Sequence, residues 1–318
     1  MNTSNARNKL AAARFRAEAC SRIRAFFAAR DVLEVETPLL SRGASHDFHI
    51  DLFIVPIESE KSIRFLQTSP EPHMKRLLAR GYPDIFQIGK AFRSGDIGSR
   101  HNPEFTMVEW YRREFSLKQM MEETAELCRL VVGPVPCVFT SYEEMFSTAT
   151  GMNPMTASFE KLASHPVVSQ RGLSGSDFPE ASDVLNFLMS ELVEPDLDPK
   201  VLTLVHGFPS ILVSQALSDP EHPGTSLRFE VFGGGMELGN GYQELKDSAE
   251  YRRRFEGENR KRQAAGKPTP PLNEEWFADI GPQLPACSGV AIGLDRLIQT
   301  GFGAGSLGEI LEFPWKNS

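Results

Sequence analysis

The order of its periodic segments constrains this chain more than any other feature. Strand-like runs lie at 52–57, 63–67, 84–92 and 104–112, and again at 201–217, 226–232 and 288–292. Between these groups, from about 141 to 200, the chain reads as mainly helical, broken by glycine and proline. Strands therefore do not alternate one for one with helices. This argues against a doubly wound parallel fold and for an α+β fold with a mostly antiparallel sheet flanked by helices.

Local signals fill in the frame. Over 8–30, Leu10, Phe15, Ala19, Ile23 and Phe26–Phe27 recur at helical spacing, with Arg14, Arg16, Arg22 and Arg24 between them. The run from Val32 to Pro38 looks like a short strand halted by proline. A helix with proline near its start is expected over 70–80, and another over 117–132, ended by Gly133-Pro134. Runs 84–92 and 104–112 read as a hairpin joined by the polar stretch Arg93 to Pro103. Gly233-Gly234-Gly235 turns the chain before the return strand that begins Met236-Glu237-Leu238, and 248–265 reads as a strongly basic helix. Strand 288–292 passes through Gly293 into a helix over 294–300.

Hydrophobic residues make up 41% of the 318, and charged residues 24%, so the chain can bury a full core. A single catalytic domain over 1–318 is expected. Lys plus Arg number 34 against 42 Asp plus Glu, a net charge of −8, whereas a chain that wraps nucleic acid is normally basic. The four cysteines, Cys20, Cys128, Cys137 and Cys287, form no CxxC pair and read as reduced, isolated thiols. The polar N-terminus has no apolar leader, and no run of 18 apolar residues is present, so no membrane association and a cytoplasmic location are expected.

Three segments carry the chemistry: Val35-Glu36-Thr37-Pro38; Phe92-Arg93 with His101-Asn102-Pro103-Glu104-Phe105; and Gly293-Leu294-Asp295-Arg296-Leu297. Each alone is weak. In this order they resemble the three signature motifs of the class II aminoacyl-tRNA synthetase catalytic core. The string from Gly235 to Leu245 is similar to the amino-acid-binding segment of lysyl-tRNA synthetase. The first motif starts close to the N-terminus, so an anticodon-reading OB-fold of about 100 residues is not expected before it. A freestanding lysyl-type core resembles the elongation factor P–(R)-β-lysine ligase family, and Thr68-Ser69-Pro70-Glu71, His101 to Trp110 and Cys287 to Ala291 match it closely.

That resemblance implies ATP-dependent activation of lysine, preferentially (R)-β-lysine, as an aminoacyl-adenylate. The acyl group then passes to the ε-amine of a lysine of elongation factor P. It implies a homodimer formed through the first motif, and tRNA is not expected as a partner. Two anions must meet in the first step, so the site needs cations aimed at the transferring phosphoryl group. Arg93 would bridge the α-phosphate and the substrate carboxylate, and Arg296 would meet the γ-phosphate and cover one face of adenine. Phe105 would stack on the other face, and Asn102 would contact the nucleotide. Ser94, Gly95, Leu238 and Gly293 complete the implied ATP-binding set. His101 is a further candidate phosphate contact.

Glu230, Glu237 and Glu244 stand seven residues apart. Glu230 and Glu237 flank the glycine turn, so a hairpin would set them on neighbouring strands, where carboxylates repel unless a cation intervenes. Mg2+ bridging ATP phosphates is the natural cation, and Glu230 and Glu237 are its expected ligands. Glu244 would meet the side-chain ammonium of the substrate, assisted by Tyr111 and with Asn240 on the same segment. Glu71, behind Ser69 and Pro70, would take the other amine. The family usually has a glutamate two residues after the motif-two arginine to read adenine. Here Gly95 stands there, with Asp96 one place late.

From 251 to 267 there are seven Lys or Arg against two Glu, read as a solvated helix face that also touches elongation factor P. The seven histidines show no metal pattern. Two alternative readings stay open on sequence: a truncated lysyl-tRNA synthetase paralogue with a tRNA or small-molecule acceptor, and a non-catalytic amino-acid-binding regulator. Lysyl-tRNA synthetases usually carry glycine where this chain has Ala291, and a methyl group there is expected to alter the room for an α-amine and favour a β-amino isomer. Ala291→Gly is expected to move the preference from β-lysine toward α-lysine in pyrophosphate exchange, and an unchanged ratio would reject the idea.

Overall fold

The computed structural model describes residues 3–281 and 283–318, so the first two residues of the polar N-terminal stretch lie outside it. The chain packs as two compact units. One comprises Met1–Pro134 and Glu244–Ser318; the other is Val135–Gln243. The fold is α+β, with mostly antiparallel sheet flanked by helices.

The first unit opens with α1 (Thr3–Ala28) and β1 (Leu33–Glu34), followed by β2 (Leu40–Ser41), β3 (Ile54–Ile57), β4 (Ser62–Leu66), α2 (Glu71–Ala79), β5 (Ile85–Phe92), β6 (Glu104–Arg113) and α3 (Leu117–Val132). Strands β2, β4 and β3 form a small antiparallel sheet. β1 lies parallel to β5, and β5 and β6 form the expected hairpin, with Phe86 opposite Trp110. Helix α1 buries Ala12, Ala19, Ile23 and Phe27, one face of a 3.6-residue repeat. Phe27 stacks on Phe86 at 4.3 Å and meets Trp110 edge-on at 5.4 Å. Helix α3 starts on a capping box in which the Ser116 side chain accepts from the Gln119 amide and Gln119 returns the bond.

The second unit holds β7 (Cys137–Ser141), α4 (Tyr142–Thr150), α5 (Phe159–Ala163), α6 (Pro166–Gln170), α7 (Ala181–Leu188), β8 (Leu202–Pro209), β9 (Thr225–Gly233) and β10 (Met236–Gln243). Its strands lie in the order β7–β8–β9–β10, with only the β7–β8 pair parallel. Tyr142, Phe146, Leu185, Leu188, Val205, Phe208 and Phe232 share its core. The first unit resumes with α8 (Ser248–Ala264), α9 (Glu274–Ile280), β11 (Cys287–Gly293), α10 (Leu294–Phe302) and α11 (Leu307–Ile310). β11 pairs antiparallel with β6, setting Gly289 opposite Tyr111 and Ala291 opposite Glu109.

Several local expectations need correction. The strand expected over 201–217 ends at Pro209, and a 3-10 turn, Ser210–Leu212, follows. Gly207 already breaks the register at φ 69°, and Pro209 has no amide to extend the ladder. The run from Val32 to Pro38 is reduced to Leu33–Glu34, held by the Leu33 and Val35 amides on the Asp84 and Phe86 carbonyls. β7 and α9 carry no strong sequence signal: the first is five residues long, and the second is seven residues behind an Asn273 cap.

The basic helix α8 is not a free cationic face. Arg262 is fully buried and donates to the carbonyls of Asp47, Ile50 and Pro268. Arg252 pairs with Glu274, Arg253 and Arg254 with Glu250, Lys261 with Glu258, and Lys267 with Asp51. The acidic partners lie on neighbouring turns or elements, so much of the local positive charge is matched within the fold, while Arg260 stays exposed. The four cysteines are free thiols, and no helix among the described residues is long and apolar enough to cross a membrane.

Helix α10, which carries Asp295 and Arg296, packs closely against α3 and α1 through Gly301. A Cβ on Gly301 would stand 2.6 Å from the Val131 carbonyl oxygen and 3.0 Å from the Phe15 ring. Gly301→Ala is expected to cost about 1–3 kcal/mol of stability through this overlap, read as a lowered denaturation midpoint.

Candidate active site

Most of the expected substrate-side residues meet in one buried acidic pocket of the first unit. Helix α2 begins after Ser69 and Pro70, with Pro70 at the cap, and sends Glu71 and, one turn later, Lys75 into the same space. Alternation along β6 puts Glu109 and Tyr111 on one face. Glu244 follows β10 directly and its amide donates to the Cys287 carbonyl of β11. Tyr251 enters from α8.

The contacts are short and mostly charge-assisted. Lys75 Nζ lies 2.5 Å from Glu71 Oε1 and 2.6 Å from Glu244 Oε2, and donates to the Tyr251 hydroxyl at 3.0 Å. The Ser69 hydroxyl donates to Glu109 at 2.7 Å and accepts the Glu71 amide at 3.0 Å; the Tyr111 hydroxyl donates to the other Glu109 oxygen at 2.8 Å. The Lys75 and Glu244 side chains are 0% and 1% exposed, which takes this network out of the class of weak surface ion pairs. Burial pushes Glu109 up to about 7, and the charge of Glu71 adds to the effect. Burial likewise raises Glu244 to about 8, against the pull of Lys75. The thiol of Cys287, beside Glu244, is raised by burial.

A second group surrounds the loop between β5 and β6. The Arg93 guanidinium stands 5.2 Å over the Phe105 ring, and its Nε is buried with no hydrogen-bond partner. An orphaned guanidinium donor fits an absent anion. The Arg93 amide closes the loop onto the Pro103 carbonyl. Arg296 donates to the Arg100 carbonyl and sits 2.5 Å from His101 Nε2, so Arg93 and Arg296 grip the same loop from its two ends. Asn102 donates to the Glu104 carbonyl at 2.5 Å and accepts the Trp315 amide. The Ser94 amide donates to the Asp51 carbonyl. Gly95 takes φ 86°, a conformation that strains any glutamate, which gives a backbone reason for glycine at this place. Gly293 caps the start of α10.

In the second unit, β9 and β10 carry the remaining candidates. The hairpin pairs Asn240 with Glu230 and Glu237 with Phe232, so Glu230 and Glu237 do lie on neighbouring strands. Leu238 is buried beneath them. Asn240 Oδ1 is buried without a partner. Glu230 already accepts from Arg228 at 2.6 Å, yet burial still pushes it up to about 8, and the charge of Glu237 adds to that rise. Two carboxylates near enough for one to raise the other suit a hard divalent cation with oxygen ligands, so the donor set fits Mg2+. Among the described residues, no group of three or more acidic, histidine or cysteine side chains is placed to hold a metal by itself, so phosphate or water oxygens would complete the shell.

The sequence reading missed Glu109, Lys75 and Tyr251. The first two carried a signal: Glu109 is two residues before Tyr111 on one strand, and Lys75 is four after Glu71 on one helix. Tyr251 carried none, because it reaches the pocket from a helix read only for its charge.

Residues 2–317 match the family described as tRNA synthetases class II (D, K and N). The chain belongs to this family. It is also similar to curated elongation factor P–(R)-β-lysine ligases. The Haemophilus influenzae protein is 37% identical over 307 residues, which cover 95% of this chain and 94% of that one. The Klebsiella pneumoniae protein is 39% identical over 304 residues, covering 94% and 93%. The Proteus mirabilis protein is 40% identical over 305, again covering 94% and 93%. Class II synthetases activate amino acids with ATP, so the acidic pocket and the arginine-flanked loop are the parts of this family member to probe first.

The floor of the acidic pocket is tight. A Cβ on Gly289 would stand 2.4 Å from Tyr111 Cε1 and 2.8 Å from Glu244 Oε1. Gly289→Ala is expected to displace both side chains and raise the Kd for lysine about tenfold or more, a loss of about 1.4 kcal/mol. Calorimetric titration checks this, and an unchanged Kd would remove the pocket as the amine site.

Proposed function

We infer that this protein is an ATP-dependent ligase that activates lysine as its adenylate and transfers it to a lysine of elongation factor P. The observation that carries the reading is the gathering of Ser69, Glu71, Glu109, Tyr111 and Glu244 into one buried acidic pocket, in a chain that resembles named ligases along nearly its whole length.

In the first step a carboxylate oxygen of the substrate attacks the α-phosphorus of ATP, and pyrophosphate leaves with the bonding pair. Negative charge grows on the phosphoryl oxygens, and Arg93, rigid and bidentate, is the residue that meets it. Arg296 holds the far end of the triphosphate, and Phe105 offers its ring to adenine. Bound Mg2+ would neutralise phosphate charge, held through Glu230 and Glu237. In the second step the neutral ε-amine of the acceptor lysine attacks the acyl carbon, AMP leaves with the bonding pair of the acyl–phosphate bond, the nitrogen gives one proton to the departing phosphate or to water, and an amide forms. The pocket's role in both steps is to fix the amines of the substrate so that its carboxylate points at the nucleotide.

(R)-β-Lysine is the preferred substrate in this reading. Ala291 lies opposite Glu109 in the β11–β6 register, so its methyl group is on the pocket face. The protein acts as a homodimer in the cytoplasm. Leu10 on α1 and Leu33 on β1 are 55% and 47% exposed, and such apolar residues on the helix and strand that lead into the first motif suit a partner subunit.

Lysine-dependent exchange of labelled pyrophosphate into ATP tests activation, and labelled lysine supplied with purified elongation factor P or with tRNA tests the acceptor. Label is expected on elongation factor P and not on tRNA. Arg93→Ala is expected to cut exchange about 10²–10³-fold. Label on tRNA alone would make the protein a synthetase paralogue instead, and no exchange at all would make it a binder.

A further inference from the structure

We propose that Lys75 is a positioning residue of the amino-acid pocket: its buried ammonium fixes the spacing of Glu71 and Glu244 and sets a charge balance that a substrate must complete with two ammonium groups. The inference deepens the functional reading above and rests on it.

The geometry is unlike that of an ordinary ion pair. An ammonium has three N–H donors, and Lys75 directs them to Glu71, Glu244 and the Tyr251 hydroxyl. One cation thus serves two carboxylates at once, from a side chain with no exposure. A third carboxylate, Glu109, faces Glu71 and is held by Ser69 and Tyr111. Three acids therefore share one resident base in a buried space.

If all three acids ionised, the pocket would carry an excess of two negative charges. Burial does not tolerate that without compensation. The groups facing Glu244 are Lys75 and Glu71 from α2, Glu109 from β6, Tyr251 from α8 and Cys287 from β11. Tyr251 and Cys287 are held in their neutral forms by burial, so they supply no countercharge. Without a bound cation the excess is met by retained protons: burial raises Glu109 and Glu244, and the charge of Glu71 adds to both. Lysine and β-lysine each bring two ammonium groups, which replace two protons. Norleucine is lysine without the side-chain amine and replaces only one, leaving a carboxyl without a charged partner. Selection thus follows from a charge count that Lys75 sets, in addition to individual contacts.

The sign of the pH dependence follows. The cation-binding form is the carboxylate, so affinity for lysine rises as pH climbs through the 7–8 region where Glu109 and Glu244 lose their protons. Removing the Lys75 charge pushes both acids higher and moves that rise to more alkaline pH.

Calorimetry of the unmodified protein, in two buffers of unequal ionisation enthalpy, counts the protons. Lysine is expected to release about one to two protons near pH 6.5, norleucine about one fewer, and both releases fade toward pH 9. Pyrophosphate exchange then compares variants. Lys75→Met is expected to raise the lysine KM about tenfold or more, to lower the preference for lysine over norleucine by a similar factor, and to shift the pH profile upward, with a smaller change in kcat. Lys75→Arg keeps the charge and is expected to keep the preference. A Met variant that loses stability or kcat while preference and pH profile stay put would overturn the proposal. Zero proton release by the unmodified protein near pH 6.5 would overturn it too, and that measurement stands even where the Met variant does not fold. Absence of lysine-dependent exchange in the unmodified protein would remove the functional reading and this inference together. Exchange with zero proton release removes the inference alone.

Discussion

One buried carboxylate, Asp295, ties together the three segments on which the catalytic unit is built. It is 2% exposed at the first turn of α10. One of its oxygens pairs with Arg16 from α1, and the other accepts the Thr106 amide of β6 at 2.8 Å. A buried acid is tolerated only with such partners, and removing one strands the charge in the core. The residue that follows it, Arg296, inherits its position from this anchor. The Phe105–Thr106 stretch beneath Arg93 is fixed by the same acid. The alignment of the two arginines about one loop is thus a consequence of where Asp295 finds its hydrogen bonds.

The pocket and the loop solve opposite electrostatic problems. Around Glu71, Glu109 and Glu244 the protein concentrates negative charge in a space with little water and tempers it with a single lysine. Around Arg93 it leaves a positive group with an unused buried donor. A zwitterionic amino acid with extra amines is suited to lie between such poles: amines at the acids, carboxylate at the cation. Charge-assisted hydrogen bonds in low-dielectric surroundings give each end its strength, and the penalty for an unpaired partner gives selectivity.

The fold class was legible because strand and helix periods were strong and grouped. The β5–β6 hairpin, α3 and the glycine turn before β10 all stand where their turn and capping signals put them. Elements that failed to announce themselves are short or depend on distant partners. β1 is two residues that exist through bonding to β5, and β7 is defined by its parallel neighbour β8. Of the residues gathered in the pocket, Ser69, Glu71 and Glu244 sit in distinctive strings, and Tyr111 directly follows one. Lys75 had only its i,i+4 spacing from Glu71 to mark it, in a stretch that otherwise looks like surface, and Tyr251, ahead of three arginines, had nothing. Burial, which sequence spells out poorly for polar residues, is what makes them part of the pocket. The same blindness hid Arg262, among the most enclosed side chains, on a helix whose Arg253 and Arg260 are exposed.

The second unit interrupts the first between Pro134 and Glu244, and the first residue after the interruption is the carboxylate that meets Lys75. The lysine and the tyrosine that share its charge are 176 positions apart along the chain. During synthesis, α2 emerges with a lysine and a glutamate whose remaining partners do not yet exist. The ribosome must make the whole intervening unit before the acid pocket can close. Nascent fragments are therefore unable to capture an amino acid, and competence to bind arrives late and all at once.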